Sequence, residues 1–370
     1  MKKEDFFCKK YFLILVFCTS VFSQESRPIS TAFPFLLISP DAVSSGKGDI
    51  GVASLPDAFS QYWNASKYVF CEEKSGVGVG YTPYLNKFTR DIFIGNLCYY
   101  TKTNRGAWAG SFRYFSVGDV TLTQGFGSQV YVLGNFRPSE FTFDLSYSLK
   151  LSEHYAMGVA TRFLSSNLRL PFEESHRAKG FSFDISGYYL SKTHLVGIFS
   201  GKYSWGFQIA NVGDKIRYNE LSQSFFIPTN LKIGGGYFLE TDSYNLFSFF
   251  TEANKLLVPA PNGNDNSANQ PKTNFLTGIF HSFSDASDGF SEELQEISWA
   301  FGFEYAYNDT LFLRSGYFNQ HKNKGDRKYL TFGTGFKVDT FLFDFSYLFS
   351  VAQTHNPLSS SLRVSLQYKF

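Results

Sequence analysis

SLRVSLQYKF, residues 361–370, alternates without a break. Leu362, Val364, Leu366, Tyr368 and Phe370 fall on one parity and Arg363, Ser365, Gln367 and Lys369 on the other, the period-two pattern of a strand with one apolar face. Such a face has to meet either a protein core or lipid. The same pattern recurs upstream. In FTFDLSYSLKLS, Phe141, Phe143, Leu145, Tyr147, Leu149 and Leu151 oppose Thr142, Asp144, Ser146, Ser148, Lys150 and Ser152. WAFGFEYAY (299–307) and TFLFDFSYLFS (340–350) repeat it. Runs of about ten residues are longer than most strands of globular sheets and suit a tilted membrane crossing.

Fourteen such segments are predicted, near residues 75–83, 91–101, 107–117, 139–151, 154–166, 179–191, 202–211, 229–240, 245–255, 296–308, 310–320, 328–337, 340–350 and 360–370. Their connections alternate in length. Short ones span 102–106, 152–153, 241–244, 308–309 and 338–340; long ones span 118–138, 167–178, 212–228, 256–295, 321–327 and 351–359. Short periplasmic turns opposite long external loops are the pattern of an outer-membrane barrel. The fold expected over 75–370 is therefore all-β, a transmembrane antiparallel β-barrel of about 14 strands with both ends in the periplasm. The connection at 192–201 is long for its side, and TNFLTGIFHSF (273–283) can be read as an extra strand.

The N-terminal residues and the composition agree with this address. Lys2, Lys3, Lys9 and Lys10 precede a mostly apolar run from Tyr11 to Phe22, the layout of a signal peptide, so residues 1–23 are expected to be cleaved after Ser23. Phe17 before Cys18 argues against lipidation. The remaining chain carries thirty basic and thirty acidic residues and offers no electrostatic case for nucleic acid. It has no run of eighteen apolar residues, yet aromatics make 19% of the residues while mean hydropathy is −0.16. An apolar exterior with aromatic girdles, diluted by a polar lumen, has that composition; a secreted two-sheet protein, enzyme or lectin, is the competing reading. Cys71 and Cys98 allow one bridge or two free thiols.

Residues 24–74 read differently. Pro28, Pro34, Pro40 and Pro56 break long strands, and Gly46, Gly48 and Gly51 supply turns. A compact N-terminal segment, periplasmic or lumenal and plug-like, is expected there.

No chemistry is expected. The histidines at 154, 176, 194, 281, 321 and 355 are isolated, without metal-ligand spacing, and no nucleophile elbow occurs. GVGVGY (76–81) and FGTGF (332–336) precede no helix, so their glycines are read as strand positions facing a crowded lumen rather than phosphate cradles. The echoes FDLSY, FDISG and FDFSY put Asp144, Asp184 and Asp344 on the inward parity, which Arg113, Lys150, Arg162, Lys232, Arg314 and Arg363 share in their own strands; solvated ion pairs in the lumen are expected. In the loop 256–295, Phe275, Leu276, Ile279, Phe280 and Phe283 recur near helical spacing and SEELQEI follows, a plausible amphipathic helix. Its apolar face either caps the barrel or docks another protein. Phe275, Ile279, Phe280, Phe283 and Phe290 are the candidate binding residues.

FPFLLISPDAVSSGKGDIGVASLPDAFSQYWNASKYVF (33–70), ANKLLVPAPN (253–262), LRSGYFNQHKNKGDRKYLTFGTGFK (313–337) and LFDFSYLF (342–349) resemble the PorV (LptO) family, the outer-membrane barrel of the type IX secretion system of Bacteroidota. The resemblance implies a 14-stranded FadL-like barrel without enzymatic activity or cofactor. It also implies a carrier that grips the C-terminal domain of secreted cargo at the SprA-like translocon and delivers it to the PorU-like sortase at the surface. One departure is visible: the family has Asn-Pro-Ala where this chain has Asn64, Ala65 and Ser66, which is expected to loosen one turn. A second functional reading, prompted by the plug-like N-terminus, is transport of hydrophobic solutes across the outer membrane.

Overall fold

The computed structural model describes residues 29–85, 89–126, 129–168, 177–218, 224–260, 273–286, 289–352 and 356–370. The expected signal peptide, its cleavage point and His176 and His355 lie outside the described residues. Fourteen strands form the wall: β1 (Ser75–Pro83), β2 (Ile92–Lys102), β3 (Gly106–Val117), β4 (Ser139–Lys150), β5 (Tyr155–Asn167), β6 (Ala178–Leu190), β7 (Phe199–Gly213), β8 (Asn230–Glu240), β9 (Asn245–Leu256), β10 (Ile297–Tyr307), β11 (Leu311–Asn319), β12 (Lys328–Val338), β13 (Phe341–Ser350) and β14 (Leu362–Lys369). Each pairs antiparallel with its sequence neighbours, and β14 returns to β1 with Leu366 opposite Val79, so no edge is left open. The terminal alternation is thus the seam that closes the ring. Every strand overlaps one of the fourteen expected segments.

The parity divides the wall as the alternation requires. Phe143, Phe301 and Phe332 are more than half exposed on the outside, whereas Thr142, Asp144 and Asp344 on the other face are at most 1% exposed. An apolar outer surface of this extent is stable only against hydrocarbon. Aromatic rings cluster at the periplasmic ends of β5–β8, where Tyr189 stacks on Trp205 and Tyr203 at 5.7 and 5.9 Å. Among the described residues no helix is long and apolar enough to cross a membrane; the crossings are made by strands.

Three connections differ from expectation. TNFLTGIFHSF is not a strand: Phe275–His281 is a helix, because its apolar residues repeat at three and four rather than two. Residues 118–138 are not simply a loop, since Val120–Phe126 and Gln129–Phe136 pair as a separate hairpin beyond the end of β3 and β4. At 192–201 the extra length is taken up by His194–Val196, a short strand against Phe199–Gly201.

The lumen is occupied by residues 29–74. This segment holds short helical turns, Pro34–Leu37, α1 (Ala42–Ser45), α2 (Ser60–Trp63) and Ala65–Phe70. Asp41 starts α1 by accepting from the Ser44 amide at 2.7 Å, and its other oxygen takes the Trp63 indole N–H at 2.7 Å. Phe33, Ile50, Val52 and Tyr68 are fully buried against the wall. Because a coil inside a barrel cannot use water, its main chain bonds to inward side chains. The Ala42 amide donates to Ser365 Oγ at 2.7 Å, the Gly51 and Val52 amides both donate to Glu252 Oε2 at 2.9 Å, and Arg113 Nη2 donates to the Phe35 and Ile38 carbonyls at 3.1 and 2.9 Å. The turn after Trp63 is held without proline: Asn64 Oδ1 accepts the Ser66 amide at 3.1 Å, and Nδ2 reaches the Val52 and Gly187 carbonyls at 2.9 Å each. The expected loosening is countered by those three bonds.

The lumenal charges pair, but away from water. Arg162 bridges Asp144 at 2.8 Å and Asp184 at 3.1 Å, and Arg314 bridges Glu304 at 2.5 Å and Asp344 at 2.6 Å, with every side chain at most a tenth exposed. Solvated pairs were expected; the segment filling the lumen excludes the solvent. Three other inward cations stand over aromatic rings instead: Arg113 over Tyr62 at 4.7 Å, Lys232 over Tyr62 and Trp63 at 4.4 and 4.3 Å, and Lys150, half-buried, over Phe70 at 5.3 Å. Cys71 and Cys98 are buried free thiols, so no bridge forms.

Candidate functional site

The described parts of two long external connections, 256–295 and 321–327, meet above the barrel mouth. β9 ends at Leu256, and the chain returns through α3 (Phe275–His281) and α4 (Phe290–Gln295) to β10. In α3, Gly278 lies against Phe226 and Pro259, where an added Cβ would stand 2.8 Å from the Phe226 ring. That contact sets which side faces the barrel: Phe275 and Ile279 are half-buried, while Leu276 and Phe280 turn outward.

Charge fixes α4. Glu292, Glu293 and Glu296 repeat at helical spacing and share one face. Lys255 Nζ, from the end of β9, donates to Glu293 Oε2 at 2.9 Å and Glu296 Oε2 at 2.6 Å; Lys324 Nζ, from the 321–327 loop, donates to Glu292 Oε1 at 2.7 Å and Glu296 Oε1 at 2.9 Å. Asn323 Nδ2 adds a bond to Gln295 Oε1 at 3.2 Å. The loop itself is tied back by the Gln320 amide to the Arg327 carbonyl at 2.8 Å, and Gly325 takes φ 129°, which a residue with a Cβ resists. Carboxylate oxygens of Asp285, Glu293 and Glu296 converge within 4.8 Å, but the Lys255 ammonium already bonds two of the three groups, so their charge is met by protein.

The cap therefore presents a fixed apolar surface. Phe280 is 73% exposed, Phe290 77% and Phe283 about half, and Leu276 and Leu294 are also exposed. Of the five candidates named from sequence, three point outward on this surface, and Phe275 and Ile279 serve its attachment. The ion-pair latch was missed. SEELQEI carries its signal, acidic residues three and four apart; the partners Lys255 and Lys324 are distant in sequence and give none.

The family model described as type IX secretion system protein PorV matches residues 21–263, more than half of the chain. The resemblance read in 313–337 and 342–349 lies beyond the matched residues. Among solved structures, the P. putida toluene transporter TodX is similar in fold with TM-score 0.53 at 10% identity, over 89% of this chain and 98% of that one. The CymD monoaromatic hydrocarbon channel is similar with TM-score 0.50 at 13% identity, over 90% and 98%. At such identities the likeness concerns the barrel architecture. No curated protein matches the chain. With the match to the family model added to the lipid-facing, closed ring of fourteen strands, the chain belongs to the PorV family and is an outer-membrane component of the type IX secretion system.

Proposed function

We propose that this protein is a carrier: its extracellular cap binds the C-terminal domain of secreted cargo and moves it from a SprA-like translocon to a PorU-like sortase complex at the cell surface. The observation that supports this reading is the cap surface of Phe280, Phe283 and Phe290, exposed outside the membrane, with α4 pinned by four ion pairs and α3 seated through Gly278 on Phe226. Rigid aromatic residues in a protein-facing patch lose little entropy on docking and are the residues that dominate interfaces. The balance of thirty basic and thirty acidic residues after position 23 favours short-range apolar contact over electrostatic steering. The barrel serves as the anchor for this surface.

Transport of hydrophobic solutes is the alternative, and the lumen filled by residues 29–74 counts against it. Deletion of the gene separates the two. The carrier reading expects proteins with the C-terminal sorting domain to accumulate in the periplasm while uptake of hydrophobic solutes is unchanged. Normal surface display in the deletion strain would contradict it.

A further inference from the structure

Six connections link the wall strands on the periplasmic side, and five of them are polar at the tip, with Asn104, Glu153, Asp242, Asn308 and Asp339 exposed. The sixth is aliphatic. Between β6 and β7 the chain reads LSKTHLVGIFSG (190–201), and there Leu195 is 80% exposed, Ile198 90% and Val196 41%.

This turn is fastened to the wall. The Ser191 amide donates to the Tyr203 carbonyl at 2.8 Å, and the Tyr203 amide donates back to Ser191 Oγ at 2.9 Å. His194 lies against the Tyr203 and Tyr237 rings, 6.0 Å from each, with its Nε2 3.4 Å from the Tyr237 hydroxyl. Gly201 leaves room for that packing: an added Cβ would stand 2.6 Å from Tyr237 Oη and 3.0 Å from His194 Nε2. Register then decides which way the turn faces. Tyr203 and Trp205 are exposed on the outside of the barrel, so Gly201 and Phe199 share their parity, and the cross-strand partners His194 and Val196 lie on the same face. The lipid-facing surface therefore runs on past the stacked rings of Tyr189, Tyr203 and Trp205 into the turn. Leu195 occupies the opposite face and is no less open, so both faces of this two-stranded extension meet the same medium.

A protein partner would need a larger surface. Stable interfaces bury about 800 Å2 on each side and are anchored by aromatic residues or arginine. Three aliphatic side chains on one turn offer neither, whereas insertion into a leaflet gains with each apolar side chain and needs no matching surface. Cations flank the tip: Lys192 is exposed, and Lys202 bridges Glu240 at 3.3 Å. Lysines beside an aromatic belt are placed to reach lipid phosphates. We propose that the 192–201 turn is a membrane wedge, which sinks Leu195, Val196 and Ile198 into the boundary between headgroups and acyl chains of the periplasmic leaflet, with Lys192 on the phosphates. It holds the β6–β8 side of the barrel at a set depth, a contact separate from the cap.

The test uses the chain from Gln24 to Phe370 in nanodiscs of phosphatidylethanolamine and phosphatidylglycerol. A nitrobenzoxadiazole fluorophore is placed on Ile198→Cys and, for comparison, on Ser243→Cys at the polar turn between β8 and β9. Cys71 and Cys98 are buried, and the unsubstituted chain treated alike supplies the blank. Emission from position 198 is expected to be blue-shifted and to lose most of its intensity when the lipids carry a shallow nitroxide, while position 243 stays water-like and is quenched less. If Ile198→Cys fails to insert, Leu195→Cys is read in its place. Water-like emission from 198, or quenching no greater than at 243, would overturn the proposal. A photocrosslinker at 198 in living cells checks the occupant: phospholipid adducts are expected, and adducts with a periplasmic protein in place of lipid would overturn it.

Discussion

At the scale of single residues, the wall and the lumenal segment meet at glycines. A Cβ added to Gly316 would lie 2.2 Å from the Gly48 nitrogen and from the Lys47 carbonyl carbon, and one added to Gly80 would lie 2.2 Å from the Pro40 carbonyl oxygen. Both obstacles are main chain, which no change of rotamer relieves. Gly316→Ala is therefore expected to push the 46–49 turn off the wall; faster amide exchange over residues 46–52 and a new ion conductance in planar bilayers would show it. Wild-type exchange in that variant would mean the segment is not seated where it is described.

Arg162 gives a second residue-scale prediction. Substituting Met leaves Asp144 and Asp184 facing one another without a counter-charge, and breaking a buried pair in this way costs about 3–5 kcal/mol. Urea unfolding followed by tryptophan fluorescence should shift accordingly, and adding Asp144→Asn and Asp184→Asn should recover most of the loss. The inward placement of these residues was legible from parity alone. Their pairing was not, because parity says which face a residue occupies and nothing about which strand stands opposite. Their dryness depends on what fills the lumen, a fact held by another part of the chain.

Among the elements, the cap owes its position to charge. Burial lowers the Lys324 ammonium, but the bonds from Glu292 and Glu296 outweigh it and hold the group above its ordinary value of 10.5. A raised lysine value stabilises fully below the unfolded value and loses that contribution as pH climbs through the folded one. The latch is thus expected to hold across neutral pH and to weaken only above about pH 10.5. Lys324→Met should mimic that release at neutral pH, raising proteolytic cleavage at residues 289–296 while the barrel itself stays resistant. Unchanged cleavage would show that α4 is held by something other than the ammonium groups.

Legibility also varied by element. The wall strands were readable because one face meets lipid over their whole length, so alternation is enforced at every step. Residues 273–283 were ambiguous between strand and helix because a short apolar run carries too few periods to separate two from three and a half. The paired strands Val120–Phe126 and Gln129–Phe136 have no barrel neighbour to impose a buried face, so their sequence reads as loop.

For the whole molecule, an even number of strands and connections that alternate in length, both visible in the sequence, let the last strand pair antiparallel with the first, which closes the ring. A cavity at the barrel mouth was not visible, because its walls come from the N-terminal segment, the strands holding Phe115 and Leu256, and connections around 320–327 and 356–358 that meet only in the folded chain. The proposed carrier role is supported by family membership together with the exposed cap, and it would put the working surface outside the membrane rather than through the lumen. Since Phe280 and Phe290 are exposed, Phe280→Ser with Phe290→Ser should alter unfolding stability by no more than about 0.5 kcal/mol while sharply reducing retention of cargo at the outer membrane.

Photocrosslinking in living cells tests the role most directly, with benzoylphenylalanine at position 280 or 290 and, as a control, at the lipid-facing position 301. Adducts with sorting-domain proteins from 280 and 290 and none from 301 are expected. Continued secretion with no cargo adduct from either cap position would contradict the account.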